Sequence, residues 1–161
     1  MGNIFAGSEV VELGVHIEEN GRDFYHALAA QTQDVKAKEV FQFLATEEEK
    51  HIVVFRKICS ALEKYEPVES YPQEYFAYMK TLANEHIFTR SDKGKEMAVR
   101  VRSDKDAVEM GIAFEKDSIV FYEGMKQVVP PEDRKVIDSV IGQEQLHLKQ
   151  LIDFKAQFKD S

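Results

Sequence analysis

Apolar residues recur along this chain at alternating spacings of three and four, and the pattern appears in four segments. One stripe runs Phe41, Leu44, Glu48, His51, Phe55, Ile58 and Leu62; another runs Ile137, Val140, Glu144, His147, Leu151, Phe154 and Phe158. Two shorter stripes run Val11, Gly14, Glu18, Gly21, Tyr25, Leu28 and Val108, Gly111, Glu115, Ser118, Tyr122, Met125. A helical turn takes 3.6 residues, so each set shares one helix face. The pattern predicts helices near 8–31, 35–64 and 104–128, and a fourth running from Pro130-Pro131 to about 158. Ser103 or Asp104 is suited to cap the third. Glu132 and Asp133 complement the positive end of the fourth, and proline is tolerated in its first turn.

The halves repeat. Val11-Glu12-Leu13-Gly14-Val15 matches Val108-Glu109-Met110-Gly111-Ile112 at an offset of 97, as Phe24-Tyr25 matches Phe121-Tyr122. Glu48–His51 and Glu144–His147 correspond at an offset of 96. Two copies suggest a duplicated helical hairpin rather than a solenoid. The stretch 65–103 must carry the chain between hairpins. It contains Pro67, Pro72 and Gly94, and an aromatic run (Tyr71, Tyr75, Phe76, Tyr78) that suggests a helix near 72–90, with a weaker one over 95–102. The expected fold is all-α. It is a four-helix bundle of two antiparallel hairpins joined by a long, partly helical crossover, in one domain spanning 1–161.

Six members of these stripes are not apolar. Glu-x-x-His occurs twice, at Glu48–His51 and Glu144–His147, and each copy follows a further glutamate, Glu18 or Glu115, on the preceding stripe. Buried acids and imidazoles are costly unless neutralised. One turn places Glu48 beside His51 and Glu144 beside His147, so each pair can present an oxygen and a nitrogen to the bundle axis. Four carboxylates carry four negative charges, which two divalent cations balance; neutral imidazoles complete the set. The expected metal residues are Glu18, Glu48, His51, Glu115, Glu144 and His147, with Glu48 and Glu144 bridging. Oxygen-rich donors without thiolate favour two iron ions or manganese, although zinc could occupy the site. Tyr25 and Tyr122 lie two turns beyond Glu18 and Glu115, where a buried phenol could hydrogen-bond a ligand carboxylate. Gly21 and Ser118 lie between, and either leave room for a diatomic ligand or allow close helix packing.

Formal net charge is −8 over 161 residues, which argues against a nucleic-acid surface. The basic run Lys93–Arg102 is short and mixed, and reads as a solvated face. The single cysteine, Cys59, allows no intrachain disulfide and no four-cysteine cluster. No stretch is apolar enough to span a bilayer and no signal peptide is evident, so a cytoplasmic protein without membrane contact is expected. His16, His26 and His86 lie off the metal-facing stripes and are expected at the surface. Glu12, Glu19, Glu47, Glu49 and Glu109 are expected to be solvated or interfacial, and Glu85 to lie away from the site.

At these residues the chain resembles the ferritin-like di-iron carboxylate superfamily, and within it the rubrerythrins. Glu18-Glu19-Asn20-Gly21-Arg22-Asp23-Phe24-Tyr25 is similar to their first-helix signature, and Glu48-Glu49-Lys50-His51 to their second. The resemblance implies a non-haem di-iron centre that reduces hydrogen peroxide, or oxidises ferrous ion with dioxygen or peroxide, in a homodimer or larger assembly. Rubrerythrins typically add a four-cysteine rubredoxin domain; this sequence lacks those cysteines, so electrons are expected from a separate donor such as a rubredoxin. They also add a glutamate one turn from the third-helix ligand, where this chain has Ile112 and Ser118. The six-residue set is therefore more like that of bacterioferritin. That leaves two alternatives to a peroxide reductase. One is a ferroxidase that stores or delivers iron; the other is a non-catalytic helical interaction module held together by its metals.

Overall fold

A computed structural model describes residues 7–64 and 73–158. Helix α1 spans Gly7–Gln31 and α2 Val35–Lys64; α5 spans Asp104–Met125 and α6 Pro131–Lys155. The short turn at 32–34 folds α2 back along α1, and the turn after α5 folds α6 back along it. The result is two antiparallel hairpins packed as a four-helix bundle, as the stripes predict.

Local chemistry sets the helix ends. Asp34 Oδ1 accepts from the Ala37 backbone N–H at 2.8 Å and so caps α2. Of the two candidates for α5, Ser103 is the cap: its hydroxyl accepts from the Asp106 N–H at 3.0 Å. Pro131 opens α6 with Glu132 and Asp133 in the first turn. The third and fourth bundle helices end earlier than expected. Residues Lys126–Val128 tighten into a 3₁₀ turn, and α6 stops at Lys155. Final turns commonly tighten this way because their carbonyls lack helical partners.

The crossover contains α3 (Gln73–Glu85), a 3₁₀ turn at Ile87–Thr89 and α4 (Lys93–Val99). The expected single helix over 72–90 is thus cut at His86, whose extended backbone (φ −76°, ψ 114°) caps the 3₁₀ turn. Pro67, Tyr71 and Pro72 lie outside the described residues. Asn20 of α1 anchors this crossover. Its amide nitrogen donates to the carbonyls of Phe88 (2.7 Å) and Arg90 (2.6 Å), and its Oδ1 accepts from the Gly94 N–H at 3.0 Å. Gly94 comes so close that a Cβ there would stand 2.0 Å from the Asn20 carbonyl oxygen. Asp92, just before α4, takes a left-handed backbone with φ 61°.

Every member of the α1 and α5 stripes is buried, including Gly14, Gly21, Gly111 and Ser118. So are the α2 and α6 stripes, apart from Phe158, which is half-buried. The seams therefore close into one core, and the six polar members are closed in with it. No helix among the described residues is long and apolar enough to cross a membrane.

Candidate metal centre

The four bundle helices converge their polar interruptions at one place. Glu18 comes from α1, Glu48 and His51 from α2, Glu115 from α5, and Glu144 and His147 from α6; none is more than 3% exposed. One donor atom from each of Glu18, Glu48, His51 and Glu144 lies within 4.8 Å of the others. The same holds for Glu48, Glu115, Glu144 and His147. The two sets share Glu48 and Glu144. Two neighbouring cation positions joined by a pair of carboxylates would have this form.

Hydrogen bonding alone does not satisfy the cluster. Eight buried atoms lack a partner: Glu18 Oε2, both oxygens of Glu48, Glu115 Oε2, both oxygens of Glu144, and Nδ1 of His51 and of His147. His51 Nδ1 approaches Glu144 Oε1 to 2.7 Å and Glu18 Oε2 to 3.5 Å, but without hydrogen-bond geometry. An unsatisfied buried polar atom costs about 1–3 kcal/mol, so eight together cost on the order of 10 kcal/mol. That is comparable to the roughly 5–15 kcal/mol by which a whole domain is stable. Two divalent cations would engage all eight atoms, and the donor set fits them in number, charge and type.

Without a cation, protons must supply the neutralisation. Burial, and next the charge of Glu144, pushes Glu18 up to about 8. Burial and Glu144 likewise hold Glu115 well above the usual carboxylate range. Burial would raise Glu144 too, but interactions with Glu115, His147 and His51 outweigh it and leave this carboxyl well below the ordinary value. Burial opposes the charged form of His51, yet Glu18 and Glu144 prevail and carry it up to about 11. The metal-free cluster thus keeps protons that an ion would have to displace.

Two phenols brace the cluster crosswise. Tyr25 of α1 donates to Glu115 Oε1 of α5 at 2.8 Å, and Tyr122 of α5 donates to Glu18 Oε1 of α1 at 2.5 Å. In each glutamate the other oxygen, Oε2, is left for the centre. Burial, followed by the carboxylate each one faces, raises both phenols well above their usual value, so they keep their protons.

The Rubrerythrin family model matches residues 9–155, nearly the whole chain. The chain belongs to the rubrerythrin family. A solved structure from Thermotoga maritima, described as that of a ferritin-like diiron-carboxylate protein, has the same fold. It is 24% identical with a TM-score of 0.65, over 94% of this chain and 95% of that one. No curated protein matches the chain. Family and buried cluster agree on a di-metal site.

The outward nitrogens of the histidines have partners that the stripes do not reveal. In this rubrerythrin-family chain His51 Nε2 bonds Gln143 Oε1 at 2.7 Å. An amide oxygen only accepts, so Nε2 keeps a proton in either charge state, and Nδ1 is the nitrogen that gives up its proton when a cation binds. His147 Nε2 faces Glu47 Oε2 at 3.8 Å, while Glu47 Oε1 accepts from Lys50 Nζ at 2.7 Å. Glu47 is therefore half-buried beside the site rather than simply solvated. Glu47 and Gln143 precede Glu48 and Glu144 and correspond in the repeat, a signal the sequence does hold.

His86 is not at the surface. It is 4% exposed, and burial lowers it to about 4, so it is neutral. Its Nδ1 accepts from the Phe88 N–H, which leaves Nε2–H to donate to Ser118 Oγ at 3.2 Å; that hydroxyl donates to the Phe114 carbonyl. Ser118 is thus engaged by the crossover. The space beside Gly21 is equally filled: a Cβ there would come within 2.5 Å of the Phe114 ring. Both small residues serve helix packing. Glu85 and His26 are exposed, as expected, and His16 is half-buried with Nδ1 3.4 Å from the Thr89 carbonyl.

Proposed function

We propose that this protein is a non-haem di-iron oxidoreductase that reduces hydrogen peroxide or dioxygen, with electrons returned by a separate donor such as a rubredoxin. The observation that carries the reading is the convergence of eight unpartnered donor atoms into two overlapping sets. Glu18 and His51 would hold one ion, Glu115 and His147 the other, with Glu48 and Glu144 shared. A ferrous pair held there would supply two electrons, one from each ion, and peroxide needs two electrons and two protons to become two waters. The chain's part is to position and to exclude. Tyr25 and Tyr122 fix the terminal glutamates through Oε1, and Gln143 fixes the His51 tautomer. The surrounding seams shield the centre from bulk water, and both phenols keep their protons, so the protons that peroxide takes up must ultimately be drawn from solvent. A homodimer fits the apolar side chains that α2 and α6 expose, among them Phe43, Val53, Leu146 and Ile152.

Anaerobic loading with ferrous ion, followed by a peroxide titration, tests this. About one peroxide should be consumed per two ferrous ions, with growth of a ferric absorption band in the near ultraviolet. Loaded protein that neither consumes peroxide or dioxygen nor changes its spectrum overturns the reading. A six-residue set with Ser118 tied to His86 also suits a ferroxidase. Light scattering separates that case: a hollow cage favours storage, and a dimer favours the redox enzyme. Zinc as purified and no turnover would indicate a non-catalytic module.

A further inference from the structure

The repeat makes the two cation positions near copies of one another, yet the residues behind the histidines differ in charge. His51 is backed by the neutral amide of Gln143, whereas His147 is backed by the carboxylate of Glu47. We propose that the two positions are unequal: the one served by Glu115 and His147 takes a divalent cation first and more tightly than the one served by Glu18 and His51. This rests on the di-metal reading above, but on none of its chemistry.

An imidazole is a better donor when its far N–H faces an anion than when it faces a neutral carbonyl, because the anion stabilises the charge the ring acquires on coordination. Glu47 is placed to act this way. Lys50 holds its Oε1, and its Oε2 is the oxygen turned toward His147 Nε2. Lys50 is two-thirds exposed, so solvent screens its opposing charge more than it screens the half-buried carboxylate. The Phe43 ring stands edge-on to His147 at 6.1 Å between centroids, which helps to fix that ring. The terminal glutamates add a difference of the same sign. The phenol of Tyr122 bonds Glu18 at 2.5 Å, against 2.8 Å for Tyr25 on Glu115, and so draws more charge from the carboxylate of the weaker position. Residues that back a metal-bound histidine typically change affinity 10–100-fold. At 3.8 Å, a separation near the lower figure is expected.

The test is a Co(II) titration of the chelator-treated full chain, read by calorimetry and by the visible bands of the bound ion. Wild type should bind two ions in two steps about tenfold apart. Glu47→Gln should weaken the first step and merge the two; Gln143→Glu should strengthen the second. His51→Ala should keep the tight step, and His147→Ala should lose it. Two equal steps in wild type, or a Glu47→Gln variant in which both steps weaken alike or neither changes, overturn the inequality while the di-metal reading stands. A wild type that binds no ion overturns both.

Discussion

Removing the metals should make the protein's stability fall as pH rises. Glu18 keeps its proton to about 8 in the folded chain, against an ordinary 4.5 when unfolded. Between those values the folded state binds one more proton than the unfolded state, so stability declines with pH. One proton held across the interval from pH 5 to 8 corresponds to about 4 kcal/mol, at about 1.4 kcal/mol per unit. Glu115 is displaced in the same direction, and His51, carried up to about 11, adds the same sign above its unfolded value near 6.5. Glu144 works the other way, but its stabilisation is complete above its ordinary 4.5 and is lost only as pH falls below it, outside this window. Cations reverse the trend, since they bind the ionised carboxylates and displace these protons. Each ion present at a hundred times its Kd adds about 2.7 kcal/mol. Urea melts at pH 5, 6.5 and 8, with chelator and with excess Mn(II), provide the assay. The metal-free midpoint should drop steadily toward pH 8, and the gain from Mn(II) should be largest there. A metal-free midpoint that is flat or rises across the window, or a gain from Mn(II) that is no larger at pH 8 than at pH 5, would refute this account of the buried cluster.

Two substitutions probe the supports of the site. Tyr122→Phe removes the donor to Glu18 and should cost about 1.5–3 kcal/mol in the metal-loaded protein, the usual worth of a hydrogen bond to a charged group, measured as a lowered urea midpoint. Asn20→Ala strips partners from the carbonyls of Phe88 and Arg90 and from the Gly94 N–H; it should cost about 2–3 kcal/mol or more and raise hydrogen exchange in the crossover, and unchanged exchange there would show that Asn20 is not its anchor.

The bundle and the six polar groups were legible because one rule fixed both. A face that repeats every three or four residues is the buried face, and Glu18, Glu48, His51, Glu115, Glu144 and His147 fall on it. The tyrosines followed from the same register, although which glutamate each would reach did not: the stripe relates Tyr25 to Glu18 on its own helix, and the bond goes across to Glu115. Interhelical contacts depend on helix separation and crossing, which periodicity does not encode. The crossover was the least legible part. Its helix is cut at His86, where the ring caps a tight turn and lies between aromatic rings of α5 and Phe88. Preceded by Asn84-Glu85 and off the four stripes, the histidine gave no clear sign of that burial. Glu47 and Gln143 were missed because they flank the stripe by one position, close enough to reach a histidine's outer nitrogen from the neighbouring helix.

The crosswise phenols carry a last consequence. Neither half of the duplicated sequence contains a finished ion-binding unit: α1 and α2 supply a glutamate whose brace, Tyr122, belongs to the other half, and the reverse holds for Glu115 and Tyr25. Each ion position also draws donors from both halves. Capture of a cation would therefore strengthen the closure of one half upon the other. Severed between the hairpins, the polypeptide should bind metal only when both pieces are mixed, and the metal should then be what keeps them together.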